Sequence, residues 1–128
     1  MRMPAIVALG AISLSACTTS QPGMLVEQGY DRGALGVAAI DRGDWASAEE
    51  QLMELGGVRE DDPARLINLG KVYMETGRPA QALSVWRLAL ASERHSEVET
   101  LDGRVVSTAE LARQALALHE PGVRTAAR

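Results

Sequence analysis

The sequence predicts an all-α protein: a stack of antiparallel helix pairs closed by a C-terminal capping helix. Three observations predict it. Ala and Leu dominate the apolar residues, Phe is absent and β-branched runs are scarce, a composition that leans towards helices. Apolar residues recur at spacings of three and four, as in Leu66, Leu69, Gly70 and Tyr73 and again in Ala82, Leu83, Trp86, Ala89 and Leu90, which places each set on one helical stripe. The chain also repeats itself with a period of 34 residues: Leu35-Gly36 falls on Leu69-Gly70, Gly43 on Gly77, Ala48 on Ala82 and Leu52 on Trp86. The 128 residues suit one modest domain.

The first sixteen residues read as a signal rather than part of the fold. Met1-Arg2-Met3 is a short positive start, and residues 5–16 form an uncharged apolar stretch. That stretch is too short to span a bilayer as a stable anchor and has the length of a secretory core segment. It ends in Leu14-Ser15-Ala16-Cys17, which resembles the lipobox of bacterial lipoproteins. The resemblance implies a signal peptide over residues 1–16, cleaved after Ala16, and a covalent lipid on Cys17. Cys17 is the single cysteine, which excludes an internal disulfide and gives the lone thiol a purpose. Each acyl methylene buried in a membrane contributes roughly 0.8 kcal/mol, so several chains hold firmly. The next residue is Thr18 rather than Asp, which by resemblance to the sorting rule of diderm bacteria implies an outer-membrane location facing the periplasm. Residues 17–28 begin polar and carry Pro22-Gly23, the chemistry of a flexible tether.

The domain is expected over residues 29–120, with repeats at 29–62 and 63–96. In the second repeat Asp62-Pro63 offers an N-cap followed by proline at the first helical position. Gly70 lets a neighbouring helix approach closely, Gly77 suits a left-handed cap, and Pro79 starts the next helix. In the first repeat Gly43-Asp44 does the same, with Asp44 as N-cap. Such a pair cannot bury its stripe alone and must stack on a neighbour.

Period and pattern resemble the tetratricopeptide (TPR) repeat. Leu66, Leu69-Gly70 and Tyr73 follow its first-helix pattern, with Leu in place of Trp; Ala82, Trp86 and Ala89 follow its second. The first copy departs from the pattern, with Ala39 where Tyr is usual and Leu52 at the aromatic position. The resemblance implies a peptide-binding groove lined by first helices: Ala64, Ile67, Lys71, Met74 and Glu75 in the second repeat, and Tyr30, Gly33, Val37, Ile40 and Asp41 in the first. Aliphatics mixed with Lys71 and Glu75 suit a helix or an extended peptide. In so short a solenoid, several of these residues are equally suited to covering the fold's own core.

Two repeats are too few to bury a continuous core, so the C-terminal segment is expected to cover the second. Ser107-Thr108-Ala109-Glu110 fits a capping box, and a helix follows from about Thr108 to His119, stopped by Pro121-Gly122. Between the repeat and this helix, residues 97–106 place β-prone runs on either side of Asp102-Gly103. They form either a hairpin or a loop that begins a broken third repeat. Residues 121–128 read as a flexible tail.

The search for chemistry argues against an enzyme. His95 and His119 are far apart in sequence and lack metal-ligand neighbours at helical spacing. The glycines sit at turns rather than in a phosphate loop, no serine has a nucleophile-elbow context, and the carboxylates read as solvated faces and helix N-terminal charge. Lys and Arg total 13 against 17 Asp and Glu, without the basic stripe of a nucleic-acid binder. No cofactor beyond the lipid on Cys17, no nucleic acid and no small-molecule substrate are expected. The architecture resembles TPR lipoproteins that accompany pilus and secretion machines, the TadD-like lipoproteins of the tight-adherence (Flp) pilus system and pilotins among them. This implies an envelope adaptor whose partner is a secretin or another component of such a machine. A scaffold for outer-membrane or peptidoglycan enzymes is the alternative.

Overall fold

The computed structural model describes residues 29–122. The segments read from sequence as a signal peptide, a lipidated Cys17 and a tether, and the residues beyond Gly122, lie outside the described residues. Among the described residues, five helices and two strands follow one another: α1 (Val37–Asp41), α2 (Trp45–Met53), α3 (Pro63–Glu75), α4 (Pro79–Ala91), β1 (Glu97–Glu99), β2 (Val105–Ser107) and α5 (Thr108–His119).

The helix starts follow the side-chain chemistry. The Asp44 carboxylate accepts from the Ser47 amide at 3.2 Å, and the Asp62 carboxylate accepts from the Arg65 amide at 3.0 Å. Each satisfies a donor that the first turn leaves without a helical acceptor. Pro63 and Pro79 occupy first-turn positions, where proline loses nothing. Gly77, at φ +76, follows α3 in the left-handed conformation that ends helices.

Each helix from α2 to α5 packs antiparallel on the one before it. Leu52 and Ala48 on α2 lie against Leu69 and Val72 on α3, while Arg65 near the start of α3 reaches back to the Leu52 carbonyl oxygen at 2.7 Å. Gly70 faces Trp86 across the α3–α4 contact. Ala89, late in α4, shares a buried cluster with Leu111 and Ala112, early in α5, and Arg87 pairs with Glu120 beyond the end of α5 at 2.6 Å. The helices α3 and α5 therefore run parallel to each other, with α4 between and beneath them. The 34-residue period survives in the element bounds: α1 and α3 end at Asp41 and Glu75, and α2 and α4 begin at Trp45 and Pro79.

Three expectations need correction. The fold is mostly helical rather than purely so. The strands β1 and β2 pair antiparallel with Val98 opposite Val106, and the β-prone valines on either side of the turn supply the reason. Gly103 N–H donates to the Thr100 carbonyl oxygen at 2.8 Å and Thr100 N–H to that of Arg104 at 2.9 Å, with Gly103 at φ +78. This is a three-residue loop, a tight turn followed by a left-handed glycine.

The first repeat is incomplete. Its first helix is the single turn α1, preceded by turns over residues 29–36. Gly33 and Gly36 sit at φ +86 and +63, and a helix cannot begin until the last of these left-handed residues has passed. At the same repeat positions α3 carries Ile67 and Gly70 in helical conformation.

The capping box is half formed. Ser107 Oγ accepts from the Ala109 amide at 3.2 Å. Glu110 does not reach back to the N-cap, because its carboxylate bonds forward to Arg113 and Gln114 one turn along α5.

Candidate functional site: a cavity between two parallel helices

The cavity starts from a glycine. An ideal Cβ on Gly70 would lie 2.6 Å from Trp86 Cδ1 and Cε2, inside van der Waals contact with the ring. Without that carbon, the indole from α4 enters the surface of α3 and is 3% exposed. Its Nε1–H donates to the Ile67 carbonyl oxygen at 3.0 Å, so the polar atom of the buried ring is satisfied. On its other side the His119 ring stacks, with centroids 5.3 Å apart and planes at 28°.

Above this indole, α3 and α5 leave a cavity of about 210 Å³. One wall is Ile67, Lys71, Met74 and Glu75 from α3; the other is Leu111, Gln114, Ala115, Leu118 and His119 from α5, with Trp86 as floor. Both sets have the three-and-four spacing of one helical face. At one end Ile67 and Leu111 are buried in a common cluster. At the other, Leu118 is 54% exposed.

The Lys71 ammonium pairs with Glu75 at 3.1 Å and lies 5.7 Å from the centre of the Trp45 ring, within cation–π range. The Lys71 side chain is 13% exposed and that of Glu75 40%, so the carboxylate is the more accessible charge.

The structure thus brings together Ile67, Lys71, Met74 and Glu75 from the sequence-read groove. It places Tyr30, Val37 and Ile40 elsewhere. Ile40 is buried among Ala48, Leu52 and Leu69. Val37 packs half-buried against the cluster of Leu35, Ala64 and Ile67. The Tyr30 hydroxyl donates to the Asp62 carboxylate at 3.2 Å; burial, with the neighbouring Asp62 charge and hydrogen bond, pushes its pKa up to about 12. The sequence pattern does not assign the α5 wall or the His119 stack to the groove, because it presents α5 as cover for the second repeat. The exposed Leu118 on the same stripe as Leu111 and Ala115 was the available signal.

A second, open groove of about 1040 Å³ runs along the other side of α3, with Leu66, Leu69 and Tyr73 below and Met53 and Leu88 exposed at its edges. Its rim mixes Arg59, Glu60, Asp61, Glu93 and Arg94. The carboxylates with lowered pKa values, Asp44, Glu49, Asp61 and Asp102, are each held charged foremost by a hydrogen bond to a neighbouring side chain or amide. None lines the cavity. Among the described residues no three His, Cys, Asp or Glu side chains converge to hold a metal ion, and no helix is long and apolar enough to cross a membrane.

Comparison with known protein families, curated proteins and solved structures found no match to this chain.

Proposed function

We propose that this protein is a membrane-anchored adaptor of the bacterial envelope, lipidated on Cys17, whose TPR-like helices hold a protein partner. The apolar cavity between α3 and α5 carries this reading. A lined concavity with a few polar groups at its edge is the ordinary form of a binding site. The 34-residue spacing of the element bounds supports a TPR-like ancestry, in which α1 and α2 form a shortened first repeat, α3 and α4 the second, and α5 the cap. The lipobox-like Leu14-Ser15-Ala16-Cys17 supports the anchor and, with Thr18, a site on the outer membrane facing the periplasm. Lipid and cavity together are what a pilotin-like subunit of a pilus or secretion machine requires: one end holds a component such as a secretin, the other brings it to the membrane.

The test is a photo-crosslinking side chain placed at Leu118 and, separately, at Leu88, in living cells, with the captured protein identified by mass spectrometry. Capture of a secretin or pilus component, with loss of its outer-membrane multimers on gene deletion, supports the proposal. Capture of a peptidoglycan hydrolase moves the protein to a scaffold role. An absence of capture at both positions overturns the adaptor reading.

A further inference from the structure

The cavity is a slot with one closed end, and this restricts its occupant. Ile67 and Leu111, both buried in the common core, line its inner end, Trp86 forms the floor, and Leu118, 54% exposed, lies on its solvent-facing side. A chain cannot run through such a slot; a side chain can enter it. At about 210 Å³ it exceeds the roughly 150 Å³ apolar cavity that accepts benzene, so one aromatic or long aliphatic side chain fits.

The charge at the mouth restricts the occupant further. The helices α3 and α5 run parallel, so the carbonyl ends of both dipoles lie at the open end, where they favour positive charge. The Lys71 ammonium is drawn back towards Glu75 and the Trp45 ring, leaving the Glu75 carboxylate as the more accessible charge of the pair.

We infer that the cavity receives a single large apolar side chain from a partner segment that carries Lys or Arg beside it. This rests on the adaptor reading and names the chemistry of the partner. A buried apolar anchor supplies affinity, and complementary charge at the rim selects among segments that offer one.

The experiment uses the full chain, labelled with nitrogen-15, and three blocked pentapeptides: Lys-Lys-Phe-Lys-Lys, Glu-Glu-Phe-Glu-Glu and Lys-Lys-Ala-Lys-Lys. The expected result is a saturable shift of the Trp86 indole N–H with the first peptide. Binding of the second is weaker by about tenfold or more, and the third gives no shift. Glu75→Lys is expected to reverse the order of the first two, and Ala115→Trp to abolish binding while leaving the helical circular dichroism intact. Equal binding of the Lys- and Glu-flanked Phe peptides, shifts confined to the residues around Met53 and Leu88, or no shift at all overturns the inference. Envelope crosslinks captured through Leu88 in the face of any of these results leave the adaptor reading standing.

Discussion

Trp86 occupies the space that a side chain on Gly70 would fill, with ring atoms Cδ1 and Cε2 2.6 Å from where that residue's Cβ would be. The glycine and the indole are therefore a single packing unit shared by α3 and α4. Gly70→Ala alone gains helix propensity of about 1 kcal/mol but forces the ring out of place, an overpacking cost of roughly 1–3 kcal/mol. Trp86→Ala alone is expected to cost roughly 3–5 kcal/mol. In the double variant the clash is gone, so Gly70→Ala is expected to stabilise the protein when residue 86 is already Ala. Urea denaturation of the four proteins measures the cycle, and a simple sum of the two single effects would show that the residues are not coupled.

The Arg78–Glu49 ion pair joins the start of α4 to α2 through two hydrogen bonds of 2.8 and 2.5 Å. The Arg78 hydrogen bond holds the Glu49 pKa below its ordinary value of 4.5. A carboxylate with a depressed folded-state pKa contributes stability that is present above 4.5 and lost as pH falls through the folded value. Glu49→Gln is therefore expected to lower the melting temperature at neutral pH and to lose less on acidification than the parent protein below pH 4.5. Melting curves at pH 7 and on a series below that value read the difference, and parallel curves would remove the pair as a contributor.

Tyr30 supplies the opposite sign. Its folded-state pKa is raised from 10.0 to about 12, so the neutral phenol is favoured in the fold. The associated stability is complete below pH 10 and disappears as pH rises through 12. Tyr30→Phe is expected to flatten the stability profile in this alkaline window. An absorbance titration of the parent should show one phenol ionising late, and loss of that phase in the variant assigns it.

On the proposed lipid anchor, Cys17→Ser is expected to leave the helical spectrum unchanged and to move the protein from the membrane to the soluble fraction, because acyl chains would provide the attachment. Fractionation of the envelope followed by mass spectrometry of the amino terminus decides it. Retention of the variant in the membrane would end the lipid-anchor reading.

Much of the second half of the molecule was legible because its signals are local. Asp62-Pro63, Gly77 and Pro79 each state a helix boundary through one side chain or one backbone conformation. The stripe around Leu66, Leu69 and Tyr73 needs only helical spacing. The first repeat was less legible because its three-and-four pattern is interrupted by Gly33 and Gly36, whose left-handed conformations are not visible in a pattern of apolar residues. The site was half legible for a similar reason. The α3 wall follows from the period, but the α5 wall is offset from it by the inserted hairpin. No periodicity could place Leu118 opposite Met74, or His119 against Trp86.

Arg65 has a consequence for how the molecule assembles. It is buried, yet its guanidinium bonds the carbonyl oxygens of Leu52 and Glu60, at 2.7 and 2.9 Å. One of those carbonyls belongs to the last turn of α2, a helix of nine residues that is too short to persist in water unaided. Its terminus is thus fastened by a residue of the following helix. The helix α2 is therefore expected to depend on α3 for its persistence, so that loosening α3 would destabilise both.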